Sequence, residues 1–188
     1  MKKKLYTVLL LVSLICFSAK SQQSKLQFHS KNSFGMSFGQ KGASALYETV
    51  NGISFKTWFT GMGIGIDNYS YNSYPVFFDI RGFFGKHNQW FGYGNLGYNF
   101  NAKNKPGKEI YYYSSYDFSG GIYSDFGLGY RFRFIQKSFL TFSCGFTYKE
   151  ISDKVGIVDP CLVAPCPVDY SNYKYGNGRV VLKAGVDF

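Results

Sequence analysis

One pattern constrains this chain more than any other. Apolar residues alternate with polar residues or glycine, and they do so in eight separate runs. The runs are Lys31–Gln40, Ala45–Phe55, Trp58–Tyr69, Tyr74–Lys86, Trp90–Asn101, Tyr116–Phe134, Phe139–Ser152 and Tyr173–Phe188. Successive side chains of a strand point to opposite faces, so each run is a strand lying between two unlike environments. No stretch repeats with the helical period of about 3.6 residues. With 22 Gly, 17 Tyr and 20 Phe the chain is also poor in helix formers. The fold is expected to be all-β.

The links between runs alternate in length. Those at 56–57, 87–89 and 135–138 are short, whereas those at 41–44, 70–73, 102–115 and 153–172 are mostly longer. In an up-and-down antiparallel barrel, this alternation gathers the tight turns at one end and the open loops at the other. Eight strands place both termini at the tight-turn end. Transmembrane barrels have this polarity.

Parity tells which solvent each face meets. In the third run Met62, Ile64 and Ile66 share one face, opposite Gly61, Gly63, Gly65 and Asp67. In the fourth, Val76, Phe78, Ile80 and Phe84 oppose Asp79 and Arg81. In the sixth, Phe118, Ile122, Phe126, Leu128, Phe132 and Phe134 oppose Asp117, Asp125, Arg131 and Arg133. In the seventh, Leu140, Phe142 and Phe146 oppose Thr141, Ser143, Thr147 and Lys149; Glu150 breaks the rule at the loop end. In the last, Val180, Leu182, Ala184, Val186 and Phe188 oppose Arg179, Lys183 and Asp187.

The charged face is rich in glycine and mixed in sign, which suits a narrow interior held by ion pairs. The predicted lumen network is Asp67, Asp79, Arg81, Asp125, Arg131, Arg133, Lys149, Arg179, Lys183 and Asp187. Aromatics collect at run ends, at Trp58, Tyr69, Tyr74, Trp90, Phe134 and Phe188. Interfacial girdles have this placement. A closed barrel also pairs every backbone group, as a lipid solvent requires.

The start of the chain fits export. Lys2, Lys3 and Lys4 precede the uncharged run Leu5–Phe17 and the sequence SAKSQQ, the three-part plan of a secretory signal. The apolar run is shorter than the roughly 20 residues of a membrane span. Cys16 invites a lipoprotein reading, but Ile15 stands before it where a small residue is wanted. Cleavage is expected after Ser21, leaving residues 22–188 as the barrel, with a short periplasmic arm at 22–30. Removal of 1–21 takes away four lysines and no acid, and the net charge falls from +10 to +6. The lysines do not cluster on one stripe, and an exported chain is a poor candidate for binding nucleic acid.

Three cysteines remain. Cys161 and Cys166 lie in the Pro-rich segment CLVAPC, close enough to bridge in an oxidising compartment. Zinc is the alternative, but two cysteines with no nearby histidine fall short of four ligands. Cys144 is expected to behave as a small apolar residue.

The segments GMGIGIDNY, FFDIRGFFG, FGLGYRFRF and the terminal KAGVDF resemble those of the small eight-stranded outer-membrane β-barrels of Gram-negative bacteria. The type is that of OmpX and the OmpA transmembrane domain, and of the porin-like outer membrane β-barrel proteins of Bacteroidota. The resemblance covers essentially all of residues 22–188. It implies an eight-stranded antiparallel up-and-down transmembrane β-barrel in the bacterial outer membrane. It also implies that Leu182, Val186 and Phe188 form the terminal signal read by the barrel-assembly machinery.

Catalysis is not expected. Enzymes of this architecture place a histidine beside Ser or Asp at the outer rim. Here His29 precedes the first run and His87 sits in a tight turn. GMGIG and GLGYR look like phosphate-loop fragments, but no helix follows either. They read instead as glycines that admit bulky lumen neighbours. An eight-stranded barrel is about wide enough for its own side chains. Function is therefore expected in the open loops 102–115 and 153–172, of which the first is basic and tyrosine-rich. The expected partners are outer-membrane lipid, lipopolysaccharide and a possible protein at these loops. No cofactor is expected. The alternatives are an outer-membrane lipid-modifying enzyme and a soluble periplasmic barrel that binds an apolar ligand.

Overall fold

The computed structural model describes residues 26–40, 42–69, 72–101, 113–135, 138–158 and 168–188. The strands are β1 (Gln27–Gly39), β2 (Gly42–Phe55), β3 (Trp58–Asp67), β4 (Ser73–Phe84), β5 (Trp90–Asn101), β6 (Tyr113–Ser119), β7 (Gly121–Ile135), β8 (Ser138–Val158) and β9 (Val168–Asp187). All pairings are antiparallel, and the sheet closes on itself. β6 and β7, separated only by Gly120, both lie along β8, so they build one wall. The result is a closed eight-stranded antiparallel barrel.

Closure rests on β9. It pairs with β8 along its whole length and with β1 from Asp187 opposite Lys31 to Val180 opposite Phe38. Phe188 continues the second ladder by exchanging backbone hydrogen bonds with Ser30 at 2.9 and 3.2 Å. Each wall of this ladder satisfies donors and acceptors that would otherwise be orphaned.

The parity rule holds around the ring. The outer face carries Met62 (68% exposed), Ile64, Ile66, Val76, Phe78, Ile80, Leu96, Phe126, Leu128 (61% exposed), Phe142, Val180 and Leu182. The inner face carries Asp67, Asp79, Asp125, Lys149, Arg179, Lys183 and Asp187, all buried. Apolar side chains face out and charges face in, the reverse of a water-soluble barrel.

Glycine makes the narrow bore possible. A Cβ on Gly63 would meet the Phe77 ring, one on Gly129 the Phe91 ring and one on Gly35 the Lys183 stem. These positions do admit bulky lumen neighbours. Gly52 and Gly61 stand directly opposite each other, and a Cβ on either would strike the partner strand's backbone.

Several boundaries differ from the sequence expectation. β1 begins at Gln27, inside the segment assigned to an N-terminal arm. Residues 27–30 already pair with β2, so His29 is a wall residue rather than part of a tail. The sixth run is two strands, broken at Gly120, where a Cβ would strike the backbone carbonyl of Asn99. Residues 113–115 belong to β6, which shortens the expected loop 102–115. Most of the expected loop 153–172 is strand, since β8 and β9 stay paired out to Val158 opposite Val168. Pro160, Pro165 and Pro167 mark a loop in the sequence, and that signal hid the strand character of the flanks 153–158 and 168–172.

Candidate functional site

The lumen is filled in three tiers, each built from inward positions of several strands. At the short-turn end, Lys31 Nζ donates to Asp187 at 2.8 Å, and His29 Nδ1 lies 3.1 Å from the other carboxylate oxygen. Lys31 and Asp187 face each other across the closing ladder, so this tier ties the first and last strands. The Lys31 ammonium also sits 4.3 Å from the Phe59 ring centre. Beside it, Arg81 grips Asp79 through Nε (2.9 Å) and a terminal nitrogen (2.7 Å). The two are separated by one residue on β4 and therefore share a face.

The middle tier centres on Lys183. Its ammonium donates to Glu48 at 2.6 Å and to Asp125. Tyr123 donates to Glu48 at 2.9 Å, and Tyr93 and Asn95 donate to Asp125 at 3.2 and 3.3 Å. At the open end, Arg179 donates to both oxygens of Asp67 at 2.9 and 2.6 Å. Lys149 lies 3.2 Å from the same carboxylate and donates to Ser73 Oγ (2.8 Å) and to the Tyr69 carbonyl (2.9 Å).

Five acids (Glu48, Asp67, Asp79, Asp125, Asp187) thus meet five cations (Lys31, Arg81, Lys149, Arg179, Lys183) in these tiers. Balance matters because an unpaired buried charge is costly. Between the tiers, Val50, Phe59, Phe77, Phe83, Phe91, Tyr93 and Tyr123 form a packed cluster. The bore is occupied by the protein's own side chains.

Asp67, Asp79, Arg81, Asp125, Lys149, Arg179, Lys183 and Asp187 point inward and are paired. Arg131 lies at the mouth, half-buried, with Nε donating to the Asn88 carbonyl at 2.7 Å. Arg133 keeps the inward parity of β7, but it is exposed at the rim, where β7 reaches the end of the barrel, and it joins no ion pair of the network among the described residues. Glu48, Lys31, His29, Tyr93 and Tyr123 were missed. Glu48 shares a parity with Leu46 and Val50, so its run showed no clean charged face. The aromatic expectation needs one correction too. Trp58, Tyr74, Trp90, Phe134 and Phe188 are exposed on the outside, but Tyr69 is buried with its ring 4.8 Å from the Arg179 guanidinium. Cys161 and Cys166 lie outside the described residues, as does the segment 1–21. Leu182 and Phe188 face outward as the alternation requires, and Val186 is partly exposed on that face.

His29 and Asp187 form the one His–carboxylate contact among the described residues. Among those residues no hydroxyl or thiol is hydrogen-bonded to His29, so the pair reads as part of the closing salt bridge. Above the open rim, β8 and β9 continue together beyond the last pairing of β9 with β1, and β6 flanks β8. This three-stranded blade exposes Tyr170, Tyr173 and Tyr175. Lys154 lies 4.7 Å from the Tyr170 ring centre.

No protein-family model matches the chain, and no curated protein matches it in sequence. Solved structures do match. The outer membrane protein AlkL, determined by solid-state NMR in DMPC lipid bilayers, superimposes with a TM-score of 0.52 at 13% identity, over 90% of this chain and 93% of that one. The outer membrane protein OprG from Pseudomonas aeruginosa gives 0.47 at 12% identity, and Neisserial surface protein A gives 0.45 at 12%. Both of these cover 86% of this chain and 95% of their own. The chain has the fold of the small eight-stranded outer-membrane barrels.

Proposed function

We propose that the chain is an exported outer-membrane barrel, freed of residues 1–21, that performs no catalysis. Its role on this reading is structural, or that of a surface-interaction protein working through the segments at its open end. The observation that carries the reading is the inverted polarity: apolar rows outside, five acids and five cations paired inside. Apolar burial favours lipid on the outer wall at about 25 cal/mol per Å², and paired lumen charges remove any need for an aqueous bore.

The blade supports the interaction half of the reading. At about 3.4 Å per residue the 21-residue β8 is about 70 Å long, and at a tilt of about 45° it rises about 50 Å. That is about twice the roughly 25 Å apolar band of a membrane barrel. The excess lies at the open end and presents tyrosines and lysines, a composition suited to anionic lipopolysaccharide or to a protein partner. A lipid-modifying enzyme is disfavoured because both histidines lie at the opposite end. A soluble carrier of apolar ligands is disfavoured because its inner wall would have to be apolar.

Cell fractionation with heat-modifiability on gels tests the location, and conductance across planar bilayers tests the closed lumen. The barrel should sediment with outer membranes, shift its mobility on boiling and conduct no steady current. Recovery as a soluble periplasmic monomer would overturn the reading.

A further inference from the structure

A cavity of about 220 Å³ opens at the short-turn mouth of the barrel, lined by His87, Gln89, Arg131, Arg133 and Phe139. Arg131, Arg133 and Phe139 occupy inward positions of β7 and β8, and the other two belong to the turn between β4 and β5. That turn holds an uncommon shape, with Gly85, His87 and Asn88 at φ 79°, 66° and 55°. It aims the Asn88 carbonyl at Arg131 Nε (2.7 Å), while the Gln89 carbonyl accepts the Arg131 backbone N–H (2.8 Å). The Arg131 guanidinium carbon lies 3.9 Å from the Phe83 ring centre and 4.6 Å from that of Phe139. Two rings and a carbonyl fix its plane. Its terminal nitrogens, and the whole guanidinium of the exposed Arg133, have no hydrogen-bond or ion-pair partner among the described residues.

Every polar side chain lining this cavity can donate a hydrogen bond, and none is a carboxylate. Asp187 and Asp79, the acids of the tier at this end, are already held, the first by Lys31 and His29 and the second by Arg81. We infer that the cavity binds a phosphate-bearing anion that enters from the aqueous compartment at the short-turn end. Guanidinium forks match phosphate oxygens in pairs. Two forks with a histidine and an amide offer more donors than the two oxygens of a carboxylate can use. The source is soluble rather than a lipid headgroup, because the lining faces inward while Phe132 and Phe134 occupy the outer face at the same height.

The test is an NMR titration of the mature barrel in maltoside micelles, which contain no phosphate, with inorganic phosphate as the probe. The backbone amides of Gln89, Arg131 and Arg133 should shift and saturate, while chloride at equal ionic strength should leave them in place. Arg133→Gln, an exposed change, should weaken binding roughly tenfold, the loss of about one charge-assisted hydrogen bond. Arg131→Gln should weaken it further, and Lys86→Gln, in the turn but outside the lining, should not. Absence of a saturable shift, or equal affinity in the wild type and both arginine variants, would overturn the site. If the shifts arise only in nanodiscs containing phosphatidylglycerol and not with inorganic phosphate, the ligand is a headgroup and the soluble source is wrong.

Discussion

Arg179 on β9 reaches across the lumen to Asp67 on β3 and binds both of its carboxylate oxygens, although β1 and β2 stand between the two strands in the wall. The contact is therefore a strut across the barrel, not a ladder contact. Lys149, from β8, braces the same carboxylate at 3.2 Å. The three groups form a triad in which one acid serves two cations.

Unequal sharing predicts an order of damage. Arg179→Met leaves Asp67 with Lys149, whereas Asp67→Asn leaves two buried cations without their carboxylate. Breaking a buried pair costs about 3–5 kcal/mol. Arg179→Met should fall at the low end of that range and Asp67→Asn at the high end. Urea unfolding in lipid vesicles measures both, and the reverse order would refute the sharing.

Ile80 and Arg81 are chain neighbours assigned to opposite environments. Ile80 is 46% exposed on the outer face, and Arg81 is clamped to Asp79 inside. Ile80→Arg should destabilise the barrel in vesicles by about 2–4 kcal/mol, the cost of a cation on the lipid face near midplane. Arg81→Leu should cost more than Arg81→Gln, because leucine offers Asp79 no donor. Tolerance of Ile80→Arg in the same unfolding assay would mean that the outer wall does not face lipid.

Much of this was legible in the sequence, and the boundary of legibility has a physical origin. Strands with one apolar and one charged face, such as β3, β4, β7 and β9, announced both their direction and their inward residues. β2 did not, because Glu48 sits between Leu46 and Val50 on a lumen-facing row that also holds apolar residues. Phe59, Phe77, Phe83 and Phe91 extend that exception: the lumen uses aromatic filler as well as charge, and composition cannot say which. Partner choice was equally hidden. Alternation says that Lys183 points inward, but only closure brings it to Glu48 and Asp125 from distant strands. The blade escaped because its β9 stretch, from Asp169 to Tyr175, is exposed or half-buried on both faces and so has no hydrophobic period.

Two glycines should respond oppositely to substitution. A side chain on Gly52 would run into the backbone of Thr60 and Gly61, whereas the atom nearest a Cβ on Gly94 is Ile80 Cγ2, at 3.9 Å. Gly52→Val should cost at least the about 1–3 kcal/mol of an overpacked site. Gly94→Val should stay within about 0.5 kcal/mol of wild type. Unfolding midpoints of the two variants make the comparison.

Cys144 is exposed on the outer row between Leu128 and Leu182. A spin label there, with Cys161→Ser and Cys166→Ser removing the other two mature thiols, should meet lipid. In vesicles its relaxation should respond strongly to oxygen, which concentrates in the bilayer, and weakly to a water-soluble nickel chelate. The opposite ratio would place this row in water.

Orientation follows from the blade and the turns together. Lys174 projects on β9 beyond the last pairing with β1, and its side chain is 74% exposed. Asn88 sits in the tight turn at the far end of the barrel, beside the mouth that Arg131 lines. The blade lies at one end of the barrel, and the turns that follow β2 and β4 lie at the other with both ends of the wall. Outer-membrane barrels keep their short turns in the periplasm. Lys174→Cys should therefore react with a membrane-impermeant maleimide on intact cells, in a background otherwise free of cysteine. Asn88→Cys should react only after the outer membrane is permeabilised. Labelling of Asn88→Cys alone on intact cells would reverse the barrel, turn the blade toward the periplasm and remove the surface-interaction role.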